Sequence, residues 1–151
     1  MLPALRPLLL AVLLASACGD TTSGAVHITG TGAPISLTSA ELTELPTTKV
    51  PYKGRTYTGV RLRDVLTHAG LTTDQPMAAI GADGYTRELT PDTLRRDDAI
   101  LAYAADDALL RPDEGPLRLI VADTPDLSVE QLARLSLGAP ANPTPPHPAK
   151  P

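Results

Sequence analysis

Aspartate, tyrosine and arginine are the residues of this 151-residue chain whose types and spacing could do chemistry. The chain has four Tyr but no Phe and no Trp, and every Tyr falls between Tyr52 and Tyr103. A phenol carries a hydroxyl that needs a partner, so Tyr favours half-buried places such as a pocket wall. The edge of a core suits it equally, and composition leaves both roles open. Asp83 begins an Asp83-Gly84-Tyr85 run. Its carboxylate can accept hydrogen bonds from a ligand or close a turn on its own backbone. Arg61 and Arg118 are placed either to meet an anionic group or to pair with neighbouring carboxylates.

Other chemistries find no constellation. His27, His68 and His147 share no metal-ligand spacing. No Ser or Thr sits in a nucleophile elbow, and no loop resembles a phosphate cradle. The pairs Asp97-Asp98, Asp106-Asp107 and Asp113-Glu114 lie in polar turn contexts and read as solvated faces. The chain carries 13 Lys+Arg against 17 Asp+Glu, a net charge of -4, without a basic block. Nucleic-acid binding is not expected, because neutralising phosphates is what holds such complexes together.

Cys18 is the only cysteine. Ahead of it stand Arg6, an unbroken apolar run over residues 8–14, and Ala15-Ser16-Ala17. That order is a secretory signal over residues 1–17, and the apolar run is too short to span a bilayer. A lone thiol directly after the small-residue triplet resembles a lipobox, although Ala15 stands where Leu is usual. Lipidation of Cys18 is therefore expected, with residues 18–24 as lipidated N-terminus and tether; the alternative is ordinary cleavage after Ala17. Two or three acyl chains anchor firmly where one does not. The expected location is the cell envelope, on the periplasmic side of a membrane. Losing Arg6 with the leader makes the mature chain one unit more negative.

One domain over residues 25–137 must position the Tyr, Asp and Arg side chains. Residues 25–29 alternate as a strand, with Gly30-Thr31-Gly32 as a turn. Thr38-Ser39-Ala40-Glu41 has capping-box spacing and opens a short helix that ends before Pro46. Residues 47–53 are β-prone, with a turn at Lys53-Gly54-Arg55. Leu62, Val65, Leu66 and Ala69 fall on one helical face, and Gly70 suits the residue that stops the helix. Residues 77–80 and 85–89 read as a hairpin around Asp83-Gly84. Thr90-Pro91 starts a helix, residues 100–104 and 116–122 are strands, and residues 128–137 are ambiguous between strand and helix. The tail, residues 138–151, is dense in Pro and is expected to be disordered, partly polyproline II. Strands and short helices without βαβ regularity make the class α+β, with a mixed sheet and short helices.

Three segments, in this order and spacing, carry a resemblance. The first is Tyr57-Thr58-Gly59-Val60-Arg61-Leu62-Arg63-Asp64-Val65-Leu66. The second is Ala82-Asp83-Gly84-Tyr85, and the third runs from Ile100-Leu101-Ala102-Tyr103 to Gly115-Pro116-Leu117-Arg118-Leu119-Ile120-Val121. Together they resemble the molybdopterin-binding oxidoreductase domain, the sulfite-oxidase fold, over nearly the whole predicted domain. Part of the pattern has its own physics. Gly59 and Gly84 suit positive φ or close approach, Leu62 and Leu66 pack the helix on the sheet, and Pro116 is tolerated at a strand start.

The resemblance implies a pterin-sized pocket. Within it, Tyr57, Tyr85 or Tyr103 would stack on a flat heterocycle. Asp83, on the turn with Gly84, would accept from an amino-pyrimidine edge, and Arg118 would reach an anionic substituent. Enzymes of the family also hold molybdenum through a cysteine thiolate a few residues before the Gly-Val-x-Leu segment. Residues 50–57 contain no cysteine, and Val129-Glu130-Gln131-Leu132 stands where a Lys-Trp pair is common. The departure points away from molybdenum and from catalysis. It points toward an exported lipoprotein that binds a pterin-like small molecule or a partner such as a membrane signalling protein. The alternatives are a molybdopterin-dependent oxidoreductase module and an interaction lipoprotein with a vestigial pocket.

Overall fold

In the computed structural model, residues 24–30 and 32–138 are described. The leader, Cys18 and the Pro-rich tail lie outside them. Ten strands form two five-stranded sheets. The first sheet holds β1 (Ala25–Thr29), β2 (Ile35–Thr38), β5 (Met77–Gly81), β6 (Thr86–Leu89) and β10 (Leu132–Leu137), in the order β2-β1-β10-β5-β6. The second holds β3 (Thr47–Tyr52), β4 (Arg55–Arg61), β7 (Ala99–Ala105), β8 (Ala108–Leu109) and β9 (Arg118–Val121). Its order is β3-β4-β7-β8, with β9 also paired to β7. Only β1 with β10 is parallel, so the first sheet is mixed and the second antiparallel.

The short helices form where local chemistry asks for them. Thr38 and Glu41 close a reciprocal capping box on α1 (Ser39–Leu42), which satisfies N–H groups that a helix start leaves free. α2 (Leu62–His68) buries Leu62, Val65 and Leu66 completely, worth about 1.5–3 kcal/mol each. Gly70 follows at φ +74, the left-handed geometry that ends a helix. Thr90 caps α3 (Pro91–Leu94), with Pro91 in the first turn.

One apolar core joins both sheets and α2, and includes Val26, Ile28, Leu66, Met77, Leu101, Leu119 and Leu135. A second, smaller cluster of Val50, Tyr52, Tyr57, Ile100, Ala102 and Ile120 lies on the second sheet. Gly59 sits at a register shift between β4 and β7. A Cβ there would come within 2.7 Å of the Ala102 Cα, so close backbone approach explains the glycine.

Three expectations change. Residues 132–137 resolve as strand β10, which carries the buried Leu132 and Leu135 into the main core. Pro116 lies outside β9, which begins only at Arg118. Asp113-Glu114 is not a solvated pair, since Glu114 is 1% exposed.

Candidate functional site

The strands β5 and β6 pair from Met77↔Leu89 to Ile80↔Thr86 and meet at the Asp83-Gly84 turn. Gly84 takes φ +86, which glycine adopts at no steric cost. The Tyr85 N–H donates to Asp83 Oδ1 at 2.9 Å, so Asp83 does close its own turn. That bond occupies one oxygen of an exposed carboxylate. Across from the turn, Ala82 N–H donates to the Gln131 carbonyl at 2.9 Å. Gln131 holds φ +46, a conformation costly for a residue with a side chain. Its own N–H donates to the Glu114 carbonyl at 2.9 Å, and its side-chain amide donates to the Pro112 carbonyl at 3.1 Å. This pinned bend places Glu130 opposite Asp83. Asp83, Tyr85 and Glu130 line a cavity of about 260 Å³. The guanidinium of Arg87 lies 4.4 Å from the centre of the Tyr85 ring, and its Nε donates to the Asp126 carbonyl at 2.7 Å.

Tyr57 and Arg118 stand elsewhere. They belong to a buried network built on Glu114. The Tyr57 hydroxyl donates to Glu114 Oε1 at 2.7 Å, and Arg118 Nη1 donates to the same oxygen at 2.7 Å. Arg55 reaches both Glu114 oxygens at 2.9 and 3.0 Å, and Arg111 adds a bond at 3.1 Å. Burial pushes the Glu114 carboxyl up, but the hydrogen bonds from Tyr57, Arg55 and Arg111 outweigh it and hold the pKa at about 2. The Tyr57 phenol moves up, through burial and then through its bond to that carboxylate. The Arg118 guanidinium also lies 5.6 and 5.4 Å from the Tyr52 and Tyr57 ring centres. Tyr57, 2% exposed, presents no free ring face to a ligand.

Besides the Gln131 backbone, the two places meet at one side-chain bond. Arg118 Nη2 contacts Glu130 Oε1 at 3.0 Å, so Arg118 touches the cavity only through the carboxylate that lines it. Arg61 pairs with Asp97 at 3.5 Å on the surface. Tyr103 bonds Thr47 through its hydroxyl at 3.2 Å and faces a different groove. Sequence reasoning missed Glu130, Glu114 and Arg87. Glu130 lay inside the segment left ambiguous, and Glu114 looked like half of a surface pair. Arg87 carried no signal; what marks it is its guanidinium over the Tyr85 ring.

The resemblance read from the sequence would put a molybdenum-holding thiolate ahead of Gly59. There the chain supplies the β3–β4 turn, whose Arg55 and Tyr57 are committed to Glu114. No His, Cys, Asp and Glu side chains gather into a metal cluster among the described residues. The Asp83–Glu130 cavity offers carboxylates, which suit N–H donors and repel the phosphate and dithiolene of a whole molybdopterin. These residues do not fit a thiolate-held molybdenum cofactor.

A comparison with curated proteins finds no significant match. Among solved structures the chain is similar to the sulfane dehydrogenase SoxCD from Paracoccus pantotrophus, with a TM-score of 0.64 and 23% identity. The likeness covers 75% of this chain and 37% of that one, so it speaks for the sulfite-oxidase-type fold alone. The family model described as the oxidoreductase molybdopterin binding domain matches residues 52–135. That match takes in β4, α2, the Asp83 turn, β7, β9 and most of β10, more than half of the sequence, and this chain therefore belongs to the oxidoreductase molybdopterin-binding domain family.

Proposed function

We propose that this protein is an exported, lipid-anchored member of its family that binds a pterin-like small molecule without metal catalysis. The observation that carries the reading is the cavity between Asp83, Tyr85 and Glu130. Two carboxylates and one aromatic residue line it, which suits a flat heterocycle with N–H groups along one edge. The volume, about 260 Å³, lies below the roughly 300–1,000 Å³ of drug-sized sites. It suits one bicyclic ring better than a complete molybdopterin. Anchoring through Cys18 would hold that site at the envelope, where a membrane signalling protein could read its occupancy.

Calorimetric titration of unsubstituted pterin against the wild type and Asp83→Asn tests the site. The Asn side chain still accepts the Tyr85 N–H, so the turn survives, while a ligand donor loses its charged acceptor. Affinity should fall about tenfold to a hundredfold, the equivalent of about 1–3 kcal/mol. Equal affinities would remove Asp83 from the site, and no binding by wild type would leave the pocket vestigial. Stoichiometric molybdenum in protein from its native host would overturn the non-catalytic reading. For the anchor, Cys18→Ser should release the protein from membranes; a variant that still pellets after a high-salt wash is held by something other than lipid.

A further inference from the structure

An apolar groove lies away from the Asp83 cavity. It measures about 310 Å³ and is lined by Gly24, Ala40, Tyr103, Leu109, Leu110 and Pro116, among others. Leu109 is 84% exposed, the one large apolar side chain so placed among the described residues. It sits on β8, a two-residue edge strand paired only to β7. One exposed leucine is ordinary on a protein surface; what singles out this one is its place in the same groove as the first described residue, Gly24.

The described chain starts at this groove. The Gly24 carbonyl accepts from the Ser39 N–H at 3.0 Å. A Cβ on Gly24 would overlap the Pro116 ring, so the glycine is pressed against Pro116 at the groove wall. The point where the tether enters the domain is therefore fixed. Only residues 19–23 separate Gly24 from Cys18, a reach of roughly 20 Å when fully extended. Charged side chains near Leu109 are internally paired: Lys49 with Asp107 at 3.1 Å, Arg55 with Asp106 at 3.1 Å, and Arg111 with Asp113 at 3.6 Å. A rim neutralised in this way does not oppose an anionic lipid surface.

We propose that the face carrying Leu109, Leu110 and Pro116 rests on the bilayer that holds the acylated Cys18, with Leu109 entering the interface. The inference builds on the lipid-anchor reading and adds an orientation to it. A short tether pinned at the groove brings this face to the lipid, and Leu109 then leaves water without needing a protein partner. The opposite end of the β1–β2 hairpin, with Gly32 in open space, points the other way along β1 and stays in solvent.

The test uses the full acylated chain, in which Cys18 is blocked by lipid and a new cysteine is the only free thiol. Leu109→Cys and Gly32→Cys are labelled with an environment-sensitive fluorophore and reconstituted in vesicles of phosphatidylethanolamine and phosphatidylglycerol. Brominated lipid should quench the label at position 109 several-fold and leave the label at position 32 unaffected. Equal, solvent-like emission at both positions would overturn the inference while leaving the anchor intact. Protection at position 109 in native membranes but not in pure lipid would also overturn it, by assigning the groove to a membrane protein. In the soluble Cys18→Ser chain the 109 label should be water-exposed; protection there means the chain covers its own groove, against the proposal. If the acylation-competent chain fails to float with vesicles at all, the anchor reading fails first and the orientation with it.

Discussion

Two acidic places in this molecule are built from the same residue types and do opposite things. At Glu114 a carboxylate, a tyrosine and three arginines close on one another, and the carboxylate is 1% exposed. At the Asp83 turn a carboxylate, a tyrosine and a second carboxylate leave a cavity between them. The difference is satisfaction. Each Glu114 oxygen accepts from several donors, so the charge is spent on the fold and nothing remains for a ligand. The Asp83 carboxylate accepts one bond from its own turn and stands exposed with capacity left. Charged side chains near a tyrosine therefore mark a binding site only where their hydrogen bonds are not already used.

The comparison predicts its largest effect at the closed place. Glu114→Gln removes the charge that three guanidinium groups share and leaves Arg118, 6% exposed, without its main counter-ion. Breaking a buried pair from one side costs about 3–5 kcal/mol. For a domain of this size that lowers the melting temperature by roughly 10 °C or more, as calorimetry would show. A loss of only a degree or two would mean that water reaches the network and that the closed place is not closed.

Acid should act next, on the same carboxylate. Its folded pKa of about 2 lies below the ordinary carboxyl value of 4.5. A depressed acid contributes stability that is complete above its unfolded pKa and is lost as pH falls through the folded one. The Glu114 share, on the order of 3 kcal/mol, should fade as pH drops from about 4.5 toward 2. Asp98, held low by its bond to Arg96, and Asp106, held low by the Thr56 N–H and then by Arg55, push the same way. Denaturant titrations across that window should show the decline, and Glu114→Gln should flatten it. A wild-type profile that stays level to pH 2 would contradict the hydrogen-bond count at Glu114.

Asp83→Asn should separate binding from stability. Its melting temperature should stay within about 2 °C of wild type, because the Tyr85 N–H keeps its acceptor and exposed substitutions cost little. Pterin affinity should fall all the same. Matching losses of stability and affinity would show that Asp83 serves only its turn.

Legibility followed whether the signal was local. The capping box at Thr38 and Glu41, the helix stop at Gly70 and the hairpin over Asp83-Gly84 are each written within a few residues, and each formed where the sequence put it. The family pattern reached across three segments and named the fold. What sequence could not show was the partner of each charge. Glu114 meets Tyr57 and Arg55 across more than fifty residues, and nothing in an Asp-Glu pair announces that. Tyr57 and Tyr85 looked equivalent as ring donors until the strands placed one against Glu114 and the other at the cavity. Glu130 was hidden because its segment has no clear period, and its position depends on the strained Gln131 beside it. The leader, Cys18 and the Pro-rich tail remain expectations from sequence, outside the described residues.

A small effect on stability is also expected where the two places touch. Glu130 is 59% exposed at its side chain, while its partner Arg118 is 8% exposed. Glu130→Gln keeps an oxygen within reach of Arg118 Nη2 and removes one charge from the cavity. Exposed ion pairs contribute about 0–1 kcal/mol, and Arg118 retains Glu114, so the melting temperature should move by no more than about 4 °C. Its effect on pterin should be sharper, because the second carboxylate lining the cavity is gone; a loss of about tenfold corresponds to one charge-assisted bond weakened. The double variant with Asp83→Asn then decides whether the two carboxylates hold one ligand edge. If they do, the two losses are not additive, since one bond at a shared edge positions the other. Strictly additive losses would mean that the carboxylates touch different parts of the ligand. A fall of 10 °C or more in Glu130→Gln alone would make Glu130 part of the closed network, and would leave Asp83 and Tyr85 as the only open side of the cavity.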